Sequence, residues 1–333
     1  KLSSSVTSCC YGWKRLTEIP MIALKHADGS PADVAARERH NLHMTCVGSW
    51  RPSPSCVVLG DGPSQQRRIF REVDGTVASW NAFEAAQLLA LDEHWKQTGL
   101  GNPLDQLRSE RDRRDNTQKL RFIQGCNWDV LQATSALAAY VEWRNGVPPL
   151  EKLHELVSPL FPRGIMYWHG RDRYFRPILV LNCDGLTMCS QDEALSLSTY
   201  WLDYAVERLL VPGVAESWVV LVNLGHVGMT DFPVMVLKAV VQSLQNRYRA
   251  RLGRAVVLGL PWLLQMLVST VKSFLSAATA NKIETSSEVA PASLLGLIPA
   301  DQLEQKFGGV AHDVTQYDAP VMPVFDPASL AVD

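Results

Sequence analysis

The stretch AVVLGLPWLLQMLV, residues 255–268, is the part of the chain best suited to cross a membrane. It is shorter than the roughly 20 apolar residues that a helix needs to span a bilayer. Pro261 and Gln265 also interrupt it. We therefore interpret it as a buried strand at 255–258, a turn, and an apolar helix that starts at Pro261.

Similar short strands precede and follow this stretch. PILVL at 177–181 and WVVLV at 218–222 are rich in β-branched residues, and residues 282–285 predict a fourth strand. Helical periodicity at 195–210 and 232–248 separates them. Strands that alternate with helices predict an α/β fold in which helices cover both faces of a mainly parallel sheet.

The N-terminal part of the chain has a different pattern. From residue 77 to Pro148 the spacing of apolar residues is helical, and Asp129 with Gln132 three residues later predicts the start of a long helix. Residues 1–75 are broken by Gly, Pro and Ser, although 57–59 and 68–73 could pair as short strands. We treat residues 1–75 as an unassigned N-terminal extension.

Composition narrows the class of protein. The 333 residues are 47% hydrophobic and 20% charged, which is typical of a globular chain. The net charge of -2 gives no overall attraction to nucleic acid. The seven cysteines are scattered, which indicates a reducing compartment. The Ser-rich, basic stretch 1–17 is typical of an organelle transit peptide, and we interpret it as a retained extension.

Motifs for catalysis are absent from the sequence. We find no GxSxG elbow, no P-loop and no HExxH string. Candidates for zinc binding or acid–base chemistry have no matching spacing: His40, His43, Cys46, Cys56, His169, His226 and Asp184. We therefore expect no catalytic residues, no metal, no cofactor and no nucleic-acid partner.

Several strings in order resemble the CRAL-TRIO family of phosphatidylinositol-transfer proteins and of retinal and tocopherol carriers. The strings are LRFIQGCNWDV (120–130), YVEWRN (140–145), FRPILVL (175–181), NRYRARLGRAVVLGLPWLLQMLVSTVKSFLSAATANKI (246–283) and IPADQLEQKFGG (298–309). They are similar to the family strings LRFLRARKFDV, EWR, GRPV, YPERLGK with INAP, KPFL and KI, and LPKEYGG.

The resemblance implies the CRAL-TRIO fold, a mixed but mainly parallel sheet flanked by helices and preceded by a small helical bundle. It places that helical region at 76–150, the lipid-binding domain at 151–312 and a tail at 313–333. It also implies a non-enzymatic protein that binds a lipid or another small hydrophobic ligand in a gated apolar pocket.

Some family residues are replaced in this chain. The basic RARK of the family is replaced by Gln124, Gly125, Cys126 and Asn127. The Pro-Glu pair of YPER is replaced by Arg249 and Ala250. The prolines of KPFL and LPKEYGG are replaced by Ser273 and Glu304. The expected inositol-site carboxylate is missing near Ala239 and Val240. The resemblance thus predicts a lipid-like ligand without specifying a phosphatidylinositol headgroup.

The resemblance also suggests which residues meet the ligand. The helix at 262–275 would be the lid, with Gly259 and Pro261 as its hinge, and Lys272 falls on the lysine that faces the headgroup in some members. The expected ligand-binding residues are Lys272, Leu179, Leu181, Val220, Val222, Trp262, Leu263, Met266, Leu267, Val271, Phe274 and Leu275.

Two functions are compatible with these motifs and with the resemblance. In the first, the chain binds and transfers lipid, is cytoplasmic and contacts membranes transiently as a peripheral protein. In the second, it is a structural subunit of a larger complex, in a mitochondrion or plastid, that reuses the CRAL-TRIO fold as a scaffold. Residues 1–75 would then contact protein partners.

Overall fold

The computed structural model describes residues 51–113, 117–225, 227–228, 233–262, 265–273 and 275–325. At its centre is a five-stranded sheet with the order β3-β4-β5-β6-β7. These strands are β3 Met166–Arg171, β4 Pro177–Asn182, β5 Trp218–Asn223, β6 Leu252–Leu258 and β7 Ile283–Thr285. The β3 strand is antiparallel to β4, and the other pairs are parallel. The predicted α/β class with a mixed, mainly parallel sheet is confirmed.

Helices precede the sheet, connect its strands and follow it. Those before the sheet are α1 Pro54–Val57, α2 Ala82–Thr98, α3 Glu110–Arg113, α4 Gln118–Gly125, α5 Val130–Gly146 and α6 Leu150–Val157. Those within and after it are α7 Cys183–Leu186, α8 Gln191–Tyr204, α9 Val234–Arg247, α10 Gln265–Ser273, α11 Ala277–Ala280 and α12 Ser293–Leu297. A π-helical turn, Ala205–Leu209, extends α8.

The predicted strands at 177–181, 218–222, 255–258 and 282–285 correspond to β4, β5, β6 and β7. The β3 strand was not predicted, because MYWHGR is buried on both faces and shows no alternation. Its register also shifts between Trp168 and Arg171.

Two further element predictions need correction. The strand predicted at 68–73 is wrong, because Val58–Leu59 (β1) pairs with Gln66–Arg67 (β2) instead. The helix predicted at 262–275 is shorter, since α10 covers Gln265–Ser273.

The two faces of the sheet pack against different parts of the chain. One face carries Tyr167, Ile178, Val180, Val219, Leu221, Val256 and Leu258, which form one core with α12 and the segment after it. The opposite face carries Met166, Trp168, Leu179, Leu181, Trp218 and Val257, which belong to a core shared with α6 and α8. Strand alternation therefore assigns alternate residues to separate cores.

A third core belongs to the helical region that precedes the sheet. Its buried residues come from the extension, from α2, α4 and α5, and from the turns after α2 and α4: Phe70, Leu91, Trp95, Leu104, Leu107, Leu120, Phe122, Ile123, Cys126, Ala133, Leu137, Tyr140 and Val141. Asp129 caps α5, as predicted, by accepting a hydrogen bond from the Gln132 backbone N–H at 2.9 Å.

The buried carboxylate of Glu216 joins the helical region to the sheet. One of its oxygens accepts hydrogen bonds from the backbone N–H groups of Phe70, Arg71 and Gly213, and the other pairs with the Arg121 guanidinium. Glu216 and Arg121 are 3% and 1% exposed. Removing either partner of such a buried ion pair would leave the other charge uncompensated and destabilise the fold.

We expect Glu216→Ala to lower the free energy of unfolding by about 3–5 kcal/mol, because it leaves Arg121 buried without its carboxylate. The matched control is Glu284→Ala. The Glu284–Arg254 pair is exposed on both sides, so its loss should cost about 0–1 kcal/mol. Urea unfolding of both variants checks the difference, and equal losses would contradict the role of Glu216.

Candidate functional site

A cavity of about 230 Å³ lies over the second face of the sheet. Its floor has two rows that cross three strands. Leu179, Val220 and Ala255 are in register in one row, and Leu181, Val222 and Val257 are in register in the other. Both rows are therefore purely aliphatic.

Helices and the last strand supply the walls of this cavity. Leu202 projects from α8, and Leu237, Val240 and Val241 line it from α9. Leu275 and Ile283 close the side next to β7. Most of the lining surface is thus apolar, which suits a hydrocarbon ligand and offers no strong hydrogen bonds to water.

One part of the cavity lining is polar. It contains Gln66, Gln124, Asn127, Gln245, Arg249, Lys272, Ser276, Thr279 and Lys282. Amides, hydroxyls and three cationic side chains therefore share the cavity with the aliphatic floor. An amphipathic ligand could place its head and its tail against these two kinds of surface.

Two lysines of the polar lining are held by backbone carbonyls. Lys272 Nζ donates to the Ile283 carbonyl at 2.9 Å, and Lys282 Nζ donates to the Leu252 carbonyl at 3.0 Å. Burial, with smaller contributions from Arg68 and Arg176, lowers the pKa of Lys282 to about 8. Lys282 is therefore partly charged at neutral to mildly basic pH, when the chain is folded.

The N-terminal extension forms part of the polar lining. The Gln124 side chain accepts from the Arg67 N–H at 2.6 Å and donates to the Arg67 carbonyl at 3.0 Å. Gln66, next to it in β2, lines the cavity. Gln124 stands where the family has a basic residue, so in this chain that position binds the extension.

The structure brings half of the expected site residues together. Leu179, Leu181, Val220, Val222, Lys272 and Leu275 all line the cavity. Trp262 and Met266 lie at the surface instead, 77% and 80% exposed. Leu263 and Phe274, and the side chains of Leu267 and Val271, lie outside the described residues.

Sequence reasoning missed several lining residues. Ala255 and Val257 were placed in a strand, and their alternation with the floor residues of β5 could have identified them. Met166 was missed together with β3. Gln66 had no detectable signal, because its position depends on how the extension packs.

Among the described residues, the other candidates from the sequence do not come together in a second site. His169 is buried, and neither ring nitrogen has a hydrogen-bond partner among the described residues; burial lowers its pKa. Asp184 contacts Gly225 rather than His169. His226, His40, His43 and Cys46 lie outside the described residues, in which no group of metal-ligating side chains is found.

The described helices do not meet the requirements of a membrane span. None of them combines the length and the hydropathy that a transmembrane helix requires. In the apolar stretch at 255–268, residues 255–258 belong to β6, as predicted, and α10 begins at Gln265 rather than at Pro261.

Comparison with known families identifies the domain. Residues 162–309 match the model of the CRAL/TRIO domain. A CRAL-TRIO domain-containing protein of Schizosaccharomyces pombe is 27% identical over 199 residues, which are 58% of this chain and 19% of that protein. The chain thus spans about a fifth of the length of that relative.

Other relatives match over most of their length. The Sec14 cytosolic factor of Schizosaccharomyces pombe is 26% identical, with 60% of this chain and 76% of the relative covered. The SEC14 cytosolic factor of Eremothecium gossypii is 26% identical, with 71% and 79% covered. The crystal structure of Sfh5 has a TM-score of 0.55 at 13% identity and covers 76% of this chain and 96% of its own, which shows the shared fold.

Substitutions at neighbouring residues of β5 can distinguish the side of the sheet that faces the cavity from the side that is fully packed. Val219→Phe should destabilise the fold by about 1–3 kcal/mol, because Val219 is fully buried against the opposite core. Val220→Phe should cost less than about 1 kcal/mol, because the ring can enter the cavity. Chemical unfolding measures both variants, and an equal or larger loss for Val220→Phe would show that the cavity cannot accept the ring.

Proposed function

Because this chain carries a CRAL-TRIO domain, we propose that it binds a lipid or another hydrophobic molecule in the cavity over β4, β5 and β6 and releases it at a membrane. One observation carries the proposal. The floor residues Val220 and Val222 face a hollow, whereas Val219 and Leu221 of the same strand are fully packed. Covering an open aliphatic sheet face of this kind with a hydrocarbon ligand is energetically favourable.

The energy of binding would come mainly from the hydrocarbon part of the ligand. Each buried CH₂ contributes about 0.8 kcal/mol, so a short alkyl chain is enough for a stable complex. The volume of about 230 Å³ is slightly below the range of about 300–1,000 Å³ typical of ligand pockets. A complete phospholipid would therefore require the cavity to widen.

We place the widening at α10 and the turn before it. Gly259 has a φ of +68°, which is not a helical conformation, and Pro261 comes two residues later. The chain therefore changes direction before α10, and we place the hinge at this turn. Lys272 and Leu275, at the end of α10 and just beyond it, line the cavity. Outward movement of α10 would then open the polar part of the cavity first.

The exposed residues near α10 would meet the membrane. Trp262 and Met266 are large apolar side chains with little contact to the rest of the chain. Insertion of such a side chain into a bilayer contributes about 1.5–3 kcal/mol. On this proposal the protein is peripheral and contacts the membrane transiently while the ligand exchanges.

We further propose that binding involves no catalysis. The cavity lining includes hydroxyls of Ser198, Ser276 and Thr279, but the described residues contribute no histidine, cysteine or carboxylate to that lining. A hydroxyl needs a neighbouring base to become a nucleophile, and the two lysines of the lining, Lys272 and Lys282, donate instead to the backbone carbonyls of Ile283 and Leu252. The lining thus favours a carrier over a hydrolase.

Native mass spectrometry of the purified chain tests ligand binding. We expect a mass above that of the bare chain, with lipid recovered by solvent extraction. Val220→Phe should lose most of this lipid because the ring occupies the cavity. Val219→Ile, on the opposite face of β5, should retain it. A bare-chain mass with no extractable lipid would contradict the proposal, and co-purification with proteins at fixed stoichiometry would favour the structural-subunit alternative.

Transfer between vesicles tests the membrane contact. We expect Met266→Ser to slow lipid transfer roughly tenfold, because it removes an apolar side chain from the contact surface. Met188→Ser is the matched control, since Met188 and Met266 are both 80% exposed. The amount of lipid bound at equilibrium should be the same in both variants. If both variants slow transfer equally, α10 is not the contact surface.

A further inference from the structure

A second cavity, of about 510 Å³, is lined by residues of the helical region and of the segments that follow α8 and α9. We call it the arginine cleft. Its walls come from α5, from the end of α8 with the loop after it, and from the end of α9. Unlike the first cavity it is mainly polar, and its lining includes Arg71, Arg144, Arg247, Arg249 and Arg251.

Three of these arginines alternate in the stretch RYRAR, residues 247–251, at the end of α9. The family string has Pro-Glu at positions 249 and 250 of this stretch. The replacement removes a carboxylate and adds a cation. Arginines 247, 249 and 251 all line the arginine cleft.

Four carboxylates also line the arginine cleft, those of Glu110, Asp112, Asp203 and Glu216, and each of them has a partner. Arg144 binds Asp112 at 3.0 Å and Asp203 at 2.5 Å. The Tyr248 hydroxyl donates to Asp203 at 2.9 Å. The Glu216 carboxylate is occupied by Arg121 and by backbone N–H groups. The ion pairs of Asp112, Asp203 and Glu216 involve neither Arg247 nor Arg249.

Arg247 and Arg249 are the uncompensated cations. The Arg247 guanidinium stacks on the Trp143 ring at 4.7 Å, and no described residue forms a hydrogen bond or an ion pair with it. Burial lowers its pKa, as expected for a cation without a counter-charge. Arg249 donates to the Gly125 carbonyl at 2.8 Å, but its Nε is buried without a partner among the described residues.

We propose that the arginine cleft binds a phosphate-bearing anion. The planar guanidinium group presents paired N–H donors that match phosphate oxygens, so several arginines around one cleft favour this anion over a chloride or a single carboxylate. Trp143 keeps Arg247 in place by stacking, which reduces the entropy lost on binding. The anion would accept hydrogen bonds from Arg247, whose guanidinium has no polar partner among the described residues.

The arginine cleft and the lipid cavity share part of their lining but can be tested separately. Tyr248 and Arg249 line both cavities, but Arg247 and Arg251 line the cleft alone, and Lys272 and Lys282 line the lipid cavity alone. Substitutions at Arg247 and Lys272 therefore distinguish the two sites.

Isothermal titration with pyrophosphate at low ionic strength tests the proposal. We expect saturable binding at one site, weaker at higher salt, because the attraction is between charges. Arg247→Gln should weaken it about tenfold, since it removes one charge-assisted contact. Arg208→Gln is the control, because Arg208 lines neither cavity. Thermal unfolding verifies that both variants are folded, and a double Arg247→Gln/Arg249→Gln variant adds a second measurement.

Two sources of the phosphate can be distinguished. A soluble ligand predicts that pyrophosphate itself binds and that Arg247→Gln weakens it. A membrane source predicts instead that vesicles carrying phosphatidylinositol 4-phosphate bind and that the same variant loses them. The proposal is overturned if neither probe binds, if Arg247→Gln changes neither, or if Lys272→Gln rather than Arg247→Gln abolishes binding.

Discussion

The buried carboxylate of Glu216 fixes how the two halves of this chain meet. It accepts hydrogen bonds from the backbone of residues 70, 71 and 213 and pairs with Arg121 of the helical region. Both cavities are lined partly by residues that precede the sheet. These are Gln66 and Gln124 in the lipid cavity, and Arg71 and Trp143 in the arginine cleft. If the contact were lost, neither cavity would keep its polar wall.

Strand alternation then decides which side of the sheet can hold a ligand. The C-terminal segment after β7 covers one face completely, and its side chains interlock with those of Val219 and Leu221. On the other face, α8 and α9 cover the sheet but leave the residues around Val220 and Val222 in contact with a hollow. The cavity lowers the stability of the core on this face of the sheet. Close packing of the core on the opposite face offsets that loss.

The sequence predicted the sheet well where a strand is short, aliphatic and followed by a turn, as at 218–222 and 255–258. It failed at β3, where Trp168 and His169 are both buried and no alternation exists. It placed four floor residues at the cavity, because they lie on one face of two predicted strands. It also expected Trp262 and Met266 there, although they are exposed, since an apolar helix does not reveal which of its faces turns inward. The contribution of Gln66 depends on long-range packing of the extension, which local patterns do not encode.

The turn at the end of α9 contributes residues to both cavities, some to the apolar one and some to the charged one. Ala250 has a φ of +57°, a left-handed conformation that costs a non-glycine residue about 1 kcal/mol or more. With this backbone, Ala250 and Leu252 line the aliphatic cavity, while Arg247 and Arg251 line the arginine cleft. A regular helix through these positions would spread the arginines around its axis and direct some toward the aliphatic floor. The left-handed residue thus allows one short stretch to supply an apolar wall on one side and guanidinium groups on the other.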